Sequence, residues 1–128
     1  MILDTNALSA WAEGNPACRS AFIEASRLIV PVIVLGEYRY GICQSRHRAR
    51  YEEWLARNLP LAELQSLTAT TANHYAELRL HLKTEGTPIP ANDLWIAALA
   101  VELGLPLLSN DSHFDYIPGL RRIAFGKG

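Results

Sequence analysis

Cysteine is nearly missing from this chain: Cys18 and Cys43 are the only two in 128 residues. Two thiols build neither a disulfide framework nor a zinc cluster, which excludes the small stapled secreted class. No secretory leader precedes Asp4, so both are expected as free thiols in a reducing cytoplasm. No uncharged apolar run approaches the roughly 20 residues of a membrane helix, and no membrane partner is expected. Lysine is equally scarce, with Lys83 and Lys127 against ten arginines. A net charge of −1 denies the chain the global basic signature of a nonspecific nucleic-acid binder. There is no repeat with a period of about 20–50 residues and no low-complexity tract. There is also no glycine-rich phosphate loop, no His/Cys cluster, and no Ser or Cys nucleophile in a recognisable motif.

What is present is one globular domain, residues 1–128, with 49% hydrophobic and 20% charged residues. Two distributions are uneven. Five arginines (Arg39, Arg46, Arg48, Arg50 and Arg57) crowd between residues 39 and 57, and arginine fits phosphate geometry better than lysine. The acids divide into nine glutamates and four aspartates. Most glutamates fall in solvent-facing helical patterns. Asp4, Asp93, Asp111 and Asp115 lie at element ends or beside apolar runs.

Along the chain, Met1-Ile2-Leu3 reads as a buried strand that stops at Asp4-Thr5-Asn6. Asp4 then either caps the helix beginning near Ala7 or stands where functional residues collect in open α/β folds, at a strand's carboxyl end. Ala7 to Glu13 is a short helix. Asn15 caps a second that opens with Pro16 and runs to about Ser26. Leu28-Ile29-Val30 is a strand, and Val32 to Ile42 a helix with Ile33, Glu37 and Gly41 on one face, flanked by Val34 and Tyr40. A carboxylate there needs a partner, a proton or a metal. Residues 45–58 form an arginine-rich amphipathic helix with Tyr51, Trp54 and Leu55 inward. A third strand lies in the second half of Leu61–Leu67. Thr70 or Thr71 caps a long helix to Glu85, with Ala72, Tyr75, Leu78 and Leu82 inward. His74 and His81 on it are too far apart for a two-histidine metal pair, which needs i and i+4. After a turn-rich link, Ala91 to Leu103 is almost wholly apolar, so Asp93 on its inner face is out of place unless it serves the helix dipole or a site. Leu105 to Leu108 is a strand ending in Ser109-Asn110-Asp111. A helical turn spans His113 to Ile117, and Leu120 to Phe125 is an edge strand marked by Arg121 and Arg122.

Strands alternating with helices imply a mostly parallel sheet of four to five strands covered on both faces, with every strand's carboxyl end on one edge. Asp4, Glu37, Asp93 and Asp111 then converge there. Like charges that close cost free energy or take up protons, unless a divalent cation joins them. Oxygen ligands without thiolate or imidazole favour magnesium or manganese, which supports phosphodiester hydrolysis by activated water. Three rivals fit less well. A receiver domain needs a lysine near the last strand and an early acid pair. A haloacid-dehalogenase-like phosphatase needs an acid where Asn6 stands. A non-catalytic RNA-binding or assembly module accounts for the arginines but not for four inward acids.

The motifs themselves resemble the PIN-domain ribonucleases of the VapC toxin type. The matching segments are Asp4-Thr5-Asn6; Val34-Leu35-Gly36-Glu37 with Tyr40-Gly41; Asn92-Asp93-Leu94-Trp95-Ile96-Ala97-Ala98; and Leu108-Ser109-Asn110-Asp111-Ser112-His113-Phe114 with Pro118-Gly119-Leu120. They appear in order over nearly the whole length. The resemblance implies a three-layer α/β/α PIN-like fold and a magnesium-dependent endoribonuclease, with manganese as substitute. It implies an RNA substrate, a homodimer, and a cognate VapB-type antitoxin whose tail enters the acidic groove. It makes Asp4, Glu37 and Asp93 the catalytic and metal-site acids and Asp111 the fourth, with Asp115 close by, and it puts the Ser109 hydroxyl near the metal.

Overall fold

The computed structural model describes residues 1–126; Lys127, one of the two lysines, lies outside the described residues. Five short strands make one parallel sheet: β1 (Ile2–Leu3), β2 (Ile29–Pro31), β3 (Glu63–Gln65), β4 (Leu107–Leu108) and β5 (Arg122–Ile123), in the order β3-β2-β1-β4-β5. The helices α1 (Thr5–Ala12), α2 (Pro16–Ile23), α3 (Val32–Cys43), α4 (Arg48–Asn58), α5 (Ala69–Glu85) and α6 (Ala91–Leu103) complete a three-layer α/β/α domain. Short 3₁₀ turns occupy Leu59–Leu61 and Ser112–Tyr116.

Ile2, Leu3, Ile29, Val30, Leu107 and Leu108 have no solvent exposure. Strands covered on both faces must be continuously apolar, which is why the central ones show no alternation. The connections step from β1 to β2 to β3 on one side, then return to β4 and β5 on the other. The direction therefore switches between β1 and β4, where a crevice opens at the strands' carboxyl ends. The Asp4 amide donates to the Leu108 carbonyl at 3.1 Å, so the two strand exits are tied at this point.

Several local expectations shift. The buried stripe of α3 is Val34, Tyr38 and Ile42, while Gly41 and Tyr40 are exposed and Glu37 sits at the boundary. The first turns of α3 are apolar all round, so spacing alone does not choose the face. Thr68, not Thr70 or Thr71, caps α5 in a reciprocal capping box with Thr71. Thr71 turns inward to Glu102, and Ala72 faces out. The α2 helix ends at Ile23 rather than near Ser26. The third strand sits in the middle of 61–67, because Leu59–Leu61 takes a 3₁₀ turn instead. Tyr51, Trp54 and Leu55 do face inward from α4, and Trp54 meets Trp11 edge-on at 5.1 Å. His74 and His81 lie at the boundary and the surface. Cys18 is buried and Cys43 exposed, both free. No described helix is long and apolar enough to cross a membrane.

Candidate active site

Asp4 leaves β1 in an extended conformation and is only 5% exposed. It is both things the sequence offered. Its Oδ1 accepts from the Thr5 amide at 2.8 Å and so caps α1. Its Oδ2 accepts from Ser109 Oγ at 2.7 Å and from Asn6 Nδ2 at 3.2 Å, across the β1–β4 crevice. Burial lifts the Asp4 carboxyl above its ordinary pKa; the Ser109, Thr5 and Asn6 hydrogen bonds oppose the shift, and the Asp111 charge adds to it.

Glu37 reaches the same corner from α3. Its Oε1 is buried without a hydrogen-bond partner, and so is the Thr5 hydroxyl oxygen. Burial raises the Glu37 pKa; the nearby Thr5 hydroxyl opposes that, and the Asp4 charge adds to it. An uncompensated buried carboxylate oxygen is costly, so this orphan signals a missing partner.

Asp93 enters from the first turn of α6 with its side chain 17% exposed. Its pKa is pushed up to about 6 by burial first, then by the charges of Asp4, Asp111 and Glu37, with His113 pulling the other way. Asp111 follows β4 and caps the 3₁₀ turn, accepting from the His113 amide at 2.9 Å. The same turn brings His113 Nδ1 to 3.2 Å from Asp111 Oδ1 and 3.6 Å from Asp93 Oδ2. One donor atom from each of Asp93, Asp111 and His113 lies within 4.8 Å of the others. Asp115 points elsewhere: Arg122 grips both of its oxygens at 2.8 and 2.9 Å.

Two residues that stand in the matching segments but carried no site role organise this corner. Asn6 donates to Asp4 and to Ser109 Oγ and accepts from the Asn110 amide at 3.2 Å, lacing the ends of β1 and β4 together. The sequence places His113 in the fourth matching segment and at the start of a turn without a role in the site; its place two residues beyond Asp111 is the available signal.

The donor set fits a hard divalent cation. Carboxylate oxygens dominate it, three of them bind protons more tightly than usual, and one buried oxygen lacks any partner. Among the described residues the donor atoms close enough to share one ion are those of Asp93, Asp111 and His113, so an imidazole joins the carboxylates, and the group does not include Asp4 or Glu37; a cation there would lower the repulsion among the acids.

Fold and site together define the class: an α/β/α domain whose switch-point corner gathers acids suited to a divalent cation. Residues 1–120 match the family model described as the PIN domain. The chain is 30% identical over 127 residues to the tRNA(fMet)-specific endonuclease VapC of Salmonella typhimurium, spanning 94% of this chain and 93% of that protein. It is 32% identical over 94 residues to Ribonuclease VapC2 of Rickettsia felis, spanning 73% and 70%. It also superposes with a TM-score of 0.90, at 26% identity and 98% coverage of both chains, on a chain from the crystal structure of VapBC2 from Rickettsia felis bound to a DNA fragment from their promoter. The chain belongs to the PIN-domain family, on the branch that holds the VapC ribonuclease toxins.

Proposed function

We propose that the protein is a magnesium-dependent endoribonuclease toxin, held inactive by a cognate VapB-type antitoxin. The observation that carries this reading is the convergence of Asp93, Asp111 and His113, one donor atom from each within 4.8 Å of the others. Burial and the charges of Asp4, Asp111 and Glu37 raise the Asp93 pKa to about 6, a cost that a bound cation would reverse. Asp4, Glu37 and Asp93 would hold the ion, with Asp111 as the fourth acid. When bound, the ion supplies an activated water and stabilises charge building on the phosphate. Ser109 and Asn6 fix the Asp4 carboxylate by hydrogen bonds to Oδ2. His113 Nδ1 stands between the two acids, 3.2 Å from Asp111 Oδ1 and 3.6 Å from Asp93 Oδ2.

The partner reading follows from relatives solved as toxin–antitoxin complexes, among them VapBC2 from Rickettsia felis and VapBC from Salmonella typhimurium. A homodimer belongs to the same reading by family resemblance. The rival, a non-catalytic RNA-binding or assembly module, leaves the buried acids unexplained. The test is incubation of total RNA with the purified chain, with magnesium or with a chelator, beside Asp4→Asn and Asp93→Asn. Cleavage that needs the metal and both acids is expected. Wild-type rates in both variants would overturn the assignment.

A further inference from the structure

A second cavity shares the first turn of α6 with Asp93. It encloses about 370 Å³ and is lined by Tyr75, Arg79, Leu82 and Lys83 of α5, by Pro88 and Ile89 of the link, and by Ala91 and Leu94 of α6. Asp93 stands between Ala91 and Leu94 in sequence, but its side chain turns toward His113 and does not line the cavity. The size falls in the range of ligand sites, roughly 300–1,000 Å³.

Its chemistry is the reverse of the acidic corner's. The lining holds two cations and no acid. Arg79 and Lys83 stand one helical turn apart on α5 and both are exposed. The Tyr75 hydroxyl accepts from Arg79 Nη1 at 2.8 Å, and the guanidinium lies over the Tyr75 ring at 5.8 Å. The opposite support is rigid: Tyr75 stacks on Trp95 with centroids 3.9 Å apart and planes 18° from parallel. Pro88, Ile89 and Leu94 supply an apolar wall.

We infer that this cavity receives an unpaired nucleotide of the RNA beside the cleaved bond, its base against the Arg79–Tyr75 platform and the apolar wall, its phosphate on Arg79 and Lys83. The inference rests on the nuclease reading above and adds to it a subsite between α5 and α6 for one splayed base. A base enters such a site only when splayed from its helix, and aromatic and guanidinium faces take any base. The cations also draw the backbone toward a corner that by itself repels phosphate.

The test compares Asp4→Asn with Asp4→Asn/Arg79→Gln/Lys83→Gln. Anisotropy reads the binding of a labelled polyuridine of about ten nucleotides, within known single-strand site sizes, and of a fully paired RNA duplex. The added substitutions should weaken polyuridine binding and lower its log–log salt slope by about 0.7 to 1.4, one or two phosphate contacts, with little effect on the duplex and unchanged light-scattering mass. If wild-type protein cleaves RNA but affinity and slope do not change, the cavity assignment is overturned and the nuclease reading stands. If wild-type protein neither cleaves nor binds RNA, both fall together. A drop in mass would make the cavity a contact between copies and overturn the inference. Should the variant melt early, photocrosslinking of 4-thiouridine RNA to Asp4→Asn decides: attachment within residues 75–94 supports the cavity, attachment elsewhere only overturns it.

Discussion

Ser109 and Asp4 lie 105 positions apart, and the Ser109 hydroxyl donates to Asp4 Oδ2 at 2.7 Å. Ser109 is fully buried, so no water takes over that donor if it is lost. Ser109→Ala should cost about 1–3 kcal/mol, the range for a buried polar group stripped of its partner. It should also raise the Asp4 pKa further and move the acid limb of the cleavage pH profile upward. A melt and a rate–pH curve of the variant check both; an unshifted acid limb would count against Ser109 acting on Asp4.

Asp93 gives the fold a distinctive response to pH. Its carboxyl holds a proton up to about 6 in the folded chain, against an ordinary 3.8. The folded state thus binds the extra proton, so this contribution to stability is present below about pH 4 and lost as pH rises through 6. Above that, the ionised group costs on the order of 1–2 kcal/mol once solvent screening is allowed for. Asp93→Asn should therefore melt a few degrees higher than wild type at about pH 8 without metal, and flatten the stability slope between about pH 4 and 6. Melts across that range without metal decide it; a variant melting lower with an unchanged slope contradicts the electrostatic account.

Much of this was readable from the chain. The parallel α/β order follows from apolar runs alternating with helical periodicity, and α6 announced itself by the unbroken apolar run Leu94–Val101 that follows Asp93. The cap and site readings of Asp4 looked like alternatives because one side chain was asked for one role, yet its two oxygens serve one each. What could not be read depends on distant pairing. Asn6 matters because β1 lies beside β4, a neighbour over 100 residues away. His113 meets Asp93 through a 3₁₀ turn with no periodic signature. Tyr38 rather than Tyr40 fills the core because α3 packs against both α1 and α6, which its own apolar pattern does not encode.

The two candidates for the fourth acid separate by their partners. Asp115 is held in a fork by Arg122 and is 54% exposed, whereas Asp111 faces His113 and the field of Asp93. Asp111→Asn should lower metal-dependent cleavage at least about tenfold, roughly 1.4 kcal/mol in the barrier. Asp115→Asn should leave it near wild type. The reverse ranking in side-by-side rate measurements would exchange their roles.

The arginine cluster is only partly neutralised. Arg39 pairs with Glu52 at 3.2 Å and Arg57 approaches Glu53 at 4.0 Å, while Arg46, Arg48 and Arg50 are exposed on the other turns. Replacing these three with glutamine should weaken RNA binding, flatten its salt dependence and leave cleavage-site choice nearly unchanged, because phosphate contacts carry little sequence information. Salt titrations on the Asp4→Asn background test this. If the salt slope holds, antitoxin affinity of the same triple variant shows whether the patch serves the partner.

The central claim is that the acids at the β1–β4 crevice form a divalent-cation site, and titration of manganese into the metal-free protein, followed by electron paramagnetic resonance of the free ion, tests it most directly. Wild-type protein should take up manganese, magnesium should compete for it, and the uptake should be sharply reduced in Asp93→Asn while that variant remains folded. Undiminished uptake by Asp93→Asn, or no uptake by the folded wild-type protein at millimolar metal, roughly the −4 kcal/mol limit of weak binding, would contradict it.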